Sequence, residues 1–211
     1  AMIIATPTAV REIILGDGPG QAFVQANEVL DVRDDVTVRT NGTLVAVKPV
    51  TVTNDILLLD GGGMTHPANA ASDIYSLRVT AGGNFTADAL SRFDVTQRGY
   101  DGYGGPGPAI DNVRGGSHGG EGAKNPGAVG APTHGSILTP TNRGSGGSFE
   151  MAGGSKGGGS IRLAVAGTAT VDGVLRASGG PRDGNCTPAG GSIWVTAGQL
   201  TGSGGIRAEG G

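Results

Sequence analysis

A phrase near the C-terminus of the chain occurs twice. The first copy opens at residues 158–163 (GGSIRL) and closes at residues 175–180 (LRASGG). The second copy opens at residues 190–195 (GGSIWV) and closes at residues 206–211 (IRAEGG). The openings lie 32 positions apart and the closings 31, so the second copy is one residue shorter. A period of 20 to 50 residues is typical of stacked repeat architectures, which more often form scaffolds and binding surfaces than closed catalytic pockets.

The glycine content argues against helices. The chain has 43 glycines and 11 prolines among 211 residues. Glycine costs roughly 1 kcal/mol relative to alanine in a helix interior. No window places apolar residues at the i, i+3, i+4 and i+7 positions of a helix face. The apolar residues are small or β-branched and alternate with polar ones, so the sequence predicts an all-β protein.

Short predicted strands follow one another from Phe23 onward. Residues 36–39 alternate with period two, and residues 56–59 are apolar at every position, as in a strand covered on both faces. The Asn-Gly pair at positions 41 and 42 predicts a hairpin or a corner. Residues 74–99 follow the order of the C-terminal copies: apolar-Arg-apolar, glycine turn, Thr-rich strand, final strand. We interpret them as a third, looser copy.

Residues 99–157 carry glycine at nearly every second or third position. A structureless loop of this length is unusual inside a compact domain. We therefore expect an ordered layer of extended or polyproline-II segments, with glycine at crowded contacts. The predicted organisation is N-terminal coils over residues 1–98, a Gly-rich insertion over residues 99–157 and C-terminal repeat coils over residues 158–211, all within one compact domain.

The repeats and short strands together predict a right-handed parallel β-helix, or β-solenoid, with an ordered Gly-rich insertion. Each repeat alone could not bury its apolar face, so stability is expected from stacked apolar rungs. A β-sandwich or jelly roll is the alternative fold, because the first 70 residues are equally compatible with a meander.

Charge and hydropathy exclude some classes of partner. The formal net charge is −3, only 16% of the residues are charged, and no basic stripe is present, which argues against nucleic acid. No run approaches the 18 or more apolar residues of a membrane-spanning helix. The N-terminus lacks the basic and apolar parts of a signal peptide. We expect the chain to be a segment of a larger parent protein.

Three Gly-rich phrases carry a family resemblance. They are residues 135–140 (GSILTP), residues 144–147 (GSGG) and residues 157–163 (GGGSIRL). They resemble the Gly-rich repeat regions of very large secreted or surface proteins of bacteria, many of them adhesin-like. The resemblance covers residues 75–211 and implies an extracellular or cell-surface β-solenoid with an unidentified ligand. It brings no catalytic signature.

Acidic side chains beside glycines are candidate Ca²⁺ ligands, because this ion takes six to eight oxygens from carboxylates and carbonyls. The candidates are Asp101, Asp111 and Glu121, with Asn112 nearby. Neither the calcium-binding nonapeptide repeat nor the EF-hand loop is present, and Asp or Asn next to Gly equally fits ordinary turns. No motif requires a cofactor, and Ca²⁺ is the one that we consider.

Two histidines and a glutamate lie close together in the Gly-rich stretch. His118, Glu121 and His134 could form a zinc site if all three converged within about 2.0–2.2 Å of one ion. The spacing permits such a site without demanding it. Histidines in surface loops are the common alternative.

Four arginines recur at matching places in the repeats: Arg78, Arg162, Arg176 and Arg207. On alternating strands they are expected to line an outer face as a ladder. We predict either a solvated face that protects strand edges or a stripe that binds an anion or a polysaccharide.

The function predicted from these patterns is an extracellular structural or adhesive module without catalysis of its own, whose partner is a glycan or another cell-surface component. One alternative is a carbohydrate-active domain of the lyase or hydrolase type, which needs paired carboxylates. Asp34 and Asp35 are adjacent, but neighbours on a strand point to opposite faces. A second alternative is a receptor-binding tip like that of a phage tail fibre.

Overall fold

A computed structural model describes residues 1–71, 74–109, 114–123, 129–148, 155–181 and 186–211. These residues form strands and irregular segments and no helix, so they contain no helix long and apolar enough to cross a membrane. In chain order the strands are β1 (Met2–Ile4), β2 (Thr8–Val10), β3 (Ile13–Leu15), β4 (Ala22–Ala26), β5 (Leu30–Val32), β6 (Val36–Val38), β7 (Gly42–Ala46), β8 (Val50–Val52), β9 (Ile56–Leu58), β10 (Gly63–Thr65), β11 (Leu77–Ala81), β12 (Phe85–Ala87), β13 (Arg92–Asp94), β14 (Ser160–Val171), β15 (Val174–Arg176), β16 (Ser192–Thr201) and β17 (Gly205–Arg207).

The strand pairs of the described chain are all parallel. One sheet has seven strands in the order β1-β4-β7-β10-β13-β15-β17, so the chain returns to it after every circuit. The prediction of an all-β protein is confirmed. Parallel pairing disagrees with the jelly-roll alternative, whose strands run antiparallel.

The ten-stranded sheet is folded on itself through β14. Its order is β2-β5-β8-β11-β14-β12-β9-β6-β3, and β16 also pairs with β14. The first half of β14 pairs with β11 (Leu77 opposite Ile161), and the second half pairs with β12 (Phe85 opposite Ala169). The sheet therefore has two arms. Each circuit of the chain passes through the seven-stranded sheet, then the first arm, then the second.

The duplicated phrase occupies neighbouring strands in register. Ser160 lies opposite Ser192, and Arg176 lies opposite Arg207. The register of the β14–β16 pair shifts between Val165 and Thr168, where the offset falls from 32 residues to 31. The residue missing from the second copy is therefore lost where the chain passes between the two arms.

The third copy is also confirmed. Arg78 pairs with Arg162, and Val79 pairs with Leu163, along the length of β11. The apolar-Arg-apolar triplet that indicated this copy in the sequence thus occupies equivalent positions on adjacent strands.

The core lies between the seven-stranded sheet and the two arms. Inward side chains stack on their counterparts in the next circuit, as in the row Val24, Leu44, Met64 and Phe93. These four side chains are buried. Phe93 also meets Phe85 of the second arm edge to face, with ring centroids 5.5 Å apart. Such a pair adds about 1 kcal/mol beyond its buried area, so it helps to join the two sheets across the core.

A row of Asp and Asn side chains joins successive circuits at the corner between the two arms. The Asp35 Oδ1 accepts the Asp55 N–H at 3.0 Å, and the Asp55 Oδ1 accepts the Asn84 N–H at 2.6 Å. The Asn84 Oδ1 in turn accepts the Thr168 N–H at 2.9 Å. Each short acceptor thus satisfies a backbone donor that the corner would otherwise leave without a partner.

The corner at Asn41 takes the left-handed conformation, with a φ of 63°. Strands β6 and β7 on either side of it belong to different sheets. Of the two possibilities that the Asn-Gly pair offered, this is therefore a corner and not a hairpin.

Segments of the Gly-rich stretch hydrogen-bond to one another through their backbones. The Gly99 N–H donates to the Gly157 carbonyl at 2.7 Å, and the Gly157 N–H donates to the Tyr100 carbonyl at 2.9 Å. The Gly144 N–H donates to the Gly158 carbonyl at 2.9 Å. A Cβ on Gly157 would overlap the carbonyl oxygen of Gly144, so this close approach requires glycine. Backbone hydrogen bonds thus connect the described segments of residues 99–157. The predicted domain boundaries stay a prediction.

Candidate functional site

The four repeat arginines form two pairs on different sheets. Arg78 and Arg162 are register neighbours on β11 and β14, and both are exposed. Trp194 follows Arg162 on β16, with its ring centroid 4.6 Å from the guanidinium carbon. This cation–π contact is worth about 0.5–1 kcal/mol at an exposed site. Arg78, Arg162 and Trp194 form the tryptophan row.

Arg176 and Arg207 are register neighbours on β15 and β17 of the seven-stranded sheet. Asp94 precedes Arg176 in the same row. The Nε of Arg176 is buried and has no hydrogen-bond partner among the described residues. The expected single ladder is therefore corrected to two short rows. The rows are separate because the opening phrase of each copy forms a strand of the ten-stranded sheet, whereas the closing phrase forms a strand of the seven-stranded sheet.

An open groove lies beside Arg176 on the seven-stranded sheet. Its arginine end has a volume of about 360 Å³ and is lined by Gly63, Thr65, Arg92, Asp94 and Arg98 among others. A second cleft of about 590 Å³ shares Thr65 and Arg98 with it and includes Phe23 and Tyr75. The two clefts are therefore neighbours on this face and are together called the arginine groove.

Asp94 accepts hydrogen bonds from two threonines that line the arginine end. Its Oδ1 accepts the Thr96 N–H at 2.8 Å, and its carbonyl accepts the Thr65 hydroxyl at 2.6 Å. Within the described residues, Arg92 and Arg98 form no ion pair. Their guanidinium groups are therefore available to a ligand in the groove.

Sequence reasoning did not single out Arg92 or Arg98. A signal was present for Arg92, because positions 92, 94 and 96 are polar and alternate with the apolar positions 93 and 95. This alternation predicts an outward polar row on β13. Arg98 follows the strand, and no pattern indicated its position.

His66 is fully buried in the wall of the arginine groove. Burial lowers its pKa from 6.5 to about 4. Its Nδ1 lies 2.6 Å from the Pro67 carbonyl, which can only accept, so the proton is on Nδ1. Its Nε2 accepts the Ser160 N–H at 3.4 Å. His66 therefore acts as a neutral bridge between the groove wall and the start of β14.

Asn69 and Arg143 hold Tyr75 at the edge of the groove. Asn69 Nδ2 donates to the carbonyls of Tyr75 and Arg98, each at 2.9 Å. Asn69 Oδ1 accepts the N–H groups of Ile74 and Tyr75 at 2.9 and 2.7 Å, so all four hydrogen-bonding positions of this amide are used. Arg143 Nε also donates to the Tyr75 carbonyl, at 2.5 Å. Burial lowers the pKa of Arg143 to about 10.

His118 and His134 lie together in a separate open cleft of about 640 Å³, which Glu121 also lines. Their ring centroids are 4.9 Å apart. His118 Nδ1 is 3.0 Å from the Gly190 carbonyl, and His134 Nε2 is 3.0 Å from the Arg143 carbonyl. Burial, with the neighbouring His134, lowers the pKa of His118. One nitrogen of each ring is thus committed to donating to the backbone.

The candidate metal ligands have different surroundings. Asp101 forms an ion pair with Lys156 at 2.8 Å, whereas Glu121 belongs to the histidine cleft. Asp111 and Asn112 lie outside the described residues. Over the described ranges, no group of three or more His, Cys, Asp or Glu side chains could hold a metal ion. The Ca²⁺ site stays a prediction.

These features define an all-β protein of parallel sheets that encloses one apolar core and carries a cationic groove on one sheet. Comparisons of the chain with protein-family models, with curated proteins and with solved structures found no match. The arginine groove, the tryptophan row and the histidine cleft are therefore interpreted from their own geometry.

Proposed function

We propose that the chain is a right-handed parallel β-solenoid. The in-register return to the seven-stranded sheet after each circuit supports this architecture. The corner row from Asp35 to Thr168 supports it as well, because each link joins one circuit to the next. A right-handed path is the expectation for parallel strands joined by crossover connections.

The proposed function is that of an extracellular structural or adhesive module that binds a glycan or another cell-surface component and performs no catalysis. The observation that carries this proposal is the arginine groove, an open channel across several strands of a sheet that successive circuits build. A shallow, extended, polar surface on a repetitive scaffold suits a long ligand better than a small one. The resemblance to Gly-rich regions of adhesin-like bacterial proteins supports the extracellular or cell-surface location.

A carbohydrate-active enzyme is the second candidate, because Asp94 lies beside Arg92 and Arg98 in the groove. Most glycosidases need two carboxylates that flank the scissile bond. In the described lining, Asp94 is the one carboxylate of the arginine end, and the second cleft, which includes Phe23 and Tyr75, has no carboxylate. The geometry therefore favours binding over cleavage.

The test is a panel of neutral and anionic polysaccharides that is assayed in parallel for binding to the protein and for release of new reducing ends or unsaturated products. We expect retention of at least one polysaccharide without product release. Heat-unfolded protein is the control for nonspecific adsorption. Product release would favour the enzyme, and failure to bind any member of the panel would contradict the adhesive function.

A further inference from the structure

The arginine groove concentrates positive charge on a protein whose formal net charge is −3. Arg92 and Arg98 line its arginine end, and the row of Arg176 and Arg207 continues from Asp94 toward β17. Asp94 is the one carboxylate in the described lining of this end. Within the lining of this end, two guanidinium groups against one carboxylate leave an excess of positive charge, which suits an anionic ligand.

The groove floor runs across the strands along a single row of paired residues. Phe23 of β4 lies opposite Thr43 of β7, Thr43 opposite Gly63 of β10, and Gly63 opposite Arg92 of β13. With adjacent strands about 4.8 Å apart, the row spans about 14 Å. Gly63 adds no side chain to this floor, and a methyl group there would lie in ordinary van der Waals contact with the Arg92 side chain, at 3.5 Å. The row has an aromatic ring at one end and a cation at the other.

This arrangement matches the chemistry of an acidic sugar chain. Arginine presents a planar fork of donors that fits carboxylate and sulfate groups. Phe23 and Tyr75 are half-buried in the second cleft and offer apolar surface for the faces of sugar rings.

We propose that the arginine groove binds a linear anionic polysaccharide that lies across the strands, with an acidic group between Arg92 and Arg98 and a sugar face against Phe23 and Tyr75. This inference rests on the proposed adhesive function and names its site and ligand class. Nucleic acid is disfavoured as the occupant because the rest of the protein carries a net negative charge.

Titration calorimetry tests the ligand class with four probes: polygalacturonate oligomers, dextran sulfate oligomers, neutral dextran oligomers and oligothymidylate. We expect binding of one or both acidic saccharides, weaker binding of each bound saccharide at 500 mM than at 50 mM NaCl, and no binding of neutral dextran. The two acidic probes distinguish a carboxylate ligand from a sulfate ligand. Binding of neutral dextran as tight as that of the acidic probes would overturn the proposal, as would tighter binding of oligothymidylate.

Variants test the site. We expect R92A and R98A each to weaken binding of the acidic probe roughly tenfold or more, since each removes a charge-assisted hydrogen-bond donor. R92K keeps the charge but loses the fork, so it should fall between R92A and the parent protein. R33A is the matched control, because Arg33 is exposed and lies between β5 and β6 of the ten-stranded sheet. Circular dichroism and thermal unfolding verify the fold of each variant.

The outcomes separate this inference from the proposed function. If the parent protein binds an acidic saccharide and R92A and R98A bind as R33A does, the groove is not the site and the adhesive function stands. If the parent protein binds no polysaccharide in the wider panel, the adhesive function fails. Loss of binding in folded R92A and R98A, with R33A unchanged, supports both.

Discussion

At the scale of single residues, buried polar groups hold the groove wall in place. His66 and Asn69 are almost completely inaccessible to solvent, and both make hydrogen bonds to backbone groups: His66 to Pro67 and Ser160, and Asn69 to Tyr75 and Arg98. A buried polar group is tolerated when its partners are present and is costly when one is removed or when it gains a charge. The neutral state of His66 is therefore a condition of stability.

We expect acid to destabilise the fold through His66. Its pKa in the folded protein is about 4, below the ordinary value of 6.5, so between these pH values the unfolded chain binds more protons. The free energy of unfolding should fall as the pH drops from 7 toward 4, with His66 accounting for about 3 kcal/mol over the full window. Chemical denaturation at pH 7.0 and at pH 4.5 measures this loss.

The comparison variant is His66→Gln, whose amide offers hydrogen bonds but takes up no proton in this range. It should be less stable than the parent protein at pH 7 by about 1–2 kcal/mol, because its hydrogen-bond geometry differs. It should also lose less stability on acidification, and the difference isolates His66 from His118 and from the carboxylates. Equal losses in both proteins would show that His66 is not the acid-sensitive group.

At the scale of elements, the Gly-rich segments are joined by backbone hydrogen bonds at distances that side chains would prevent. Gly144, Gly157 and Gly158 belong to this layer, and all three are buried. Glycine loses more conformational entropy on folding than any other residue. The layer is therefore stable only because its close contacts and its hydrogen bonds form together.

Two glycines in this region should respond very differently to alanine. In Gly157→Ala the new methyl group meets the backbone of Gly144, and we expect a loss of about 3 kcal/mol or more, or a failure to fold. In the matched change Gly119→Ala nothing lies within 4 Å of the methyl group, so stability should be unchanged or rise by up to about 1 kcal/mol. Thermal unfolding of both variants gives the comparison, and similar melting temperatures would contradict the close packing at Gly157.

At the scale of the whole molecule, stability is expected to vary along the stack. Strands such as β7 and β8 have a neighbour on each side, whereas β1 and β17 have one. In stacked repeats each unit contacts mainly its neighbours, so the total stability is approximately a sum of local terms. The outermost strands therefore have fewer interactions to lose when they open.

We expect native-state hydrogen exchange to follow this gradient. Amides in β7, β8 and β10 should exchange most slowly, and those in β1 and β17 fastest, by one or more orders of magnitude. Mass spectrometry of proteolytic fragments measures the rates, and a repeat at a second pH verifies that opening is not rate-limiting. Uniform protection from end to end would instead indicate a single cooperative unit.

The sequence contained enough to predict the class of fold and the stacking of copies. The phrases around Arg162 and Trp194 are similar, and they pair in register because neighbouring circuits have nearly equal length. The copy around Arg78 was also recognisable, although 84 residues separate it from its partner Arg162. The alternation of apolar and polar residues was sufficient to recognise the copies, since it determines which side chains face the core.

The candidate site was less predictable. Which sheet a residue joins depends on the length of each circuit, so the four repeat arginines could not be divided between two sheets beforehand. The groove depends on contacts between Thr65 and Asp94 and between Asn69 and Arg98, and each pair is separated by 29 residues. No local pattern encodes such pairs. Arg98 in particular became a candidate only once the wall residues around it were known.

The one-residue step between Val165 and Thr168 determines where relatives of this chain could differ in length. Within a strand, a deletion of one residue would move every later side chain to the opposite face of the sheet. Here Ala169 still lies opposite Leu200, so the orientation is restored immediately after the step. Duplicated segments can thus differ in length at the bends while their inward side chains still face the core. The same bends are natural places to graft foreign peptides into the scaffold.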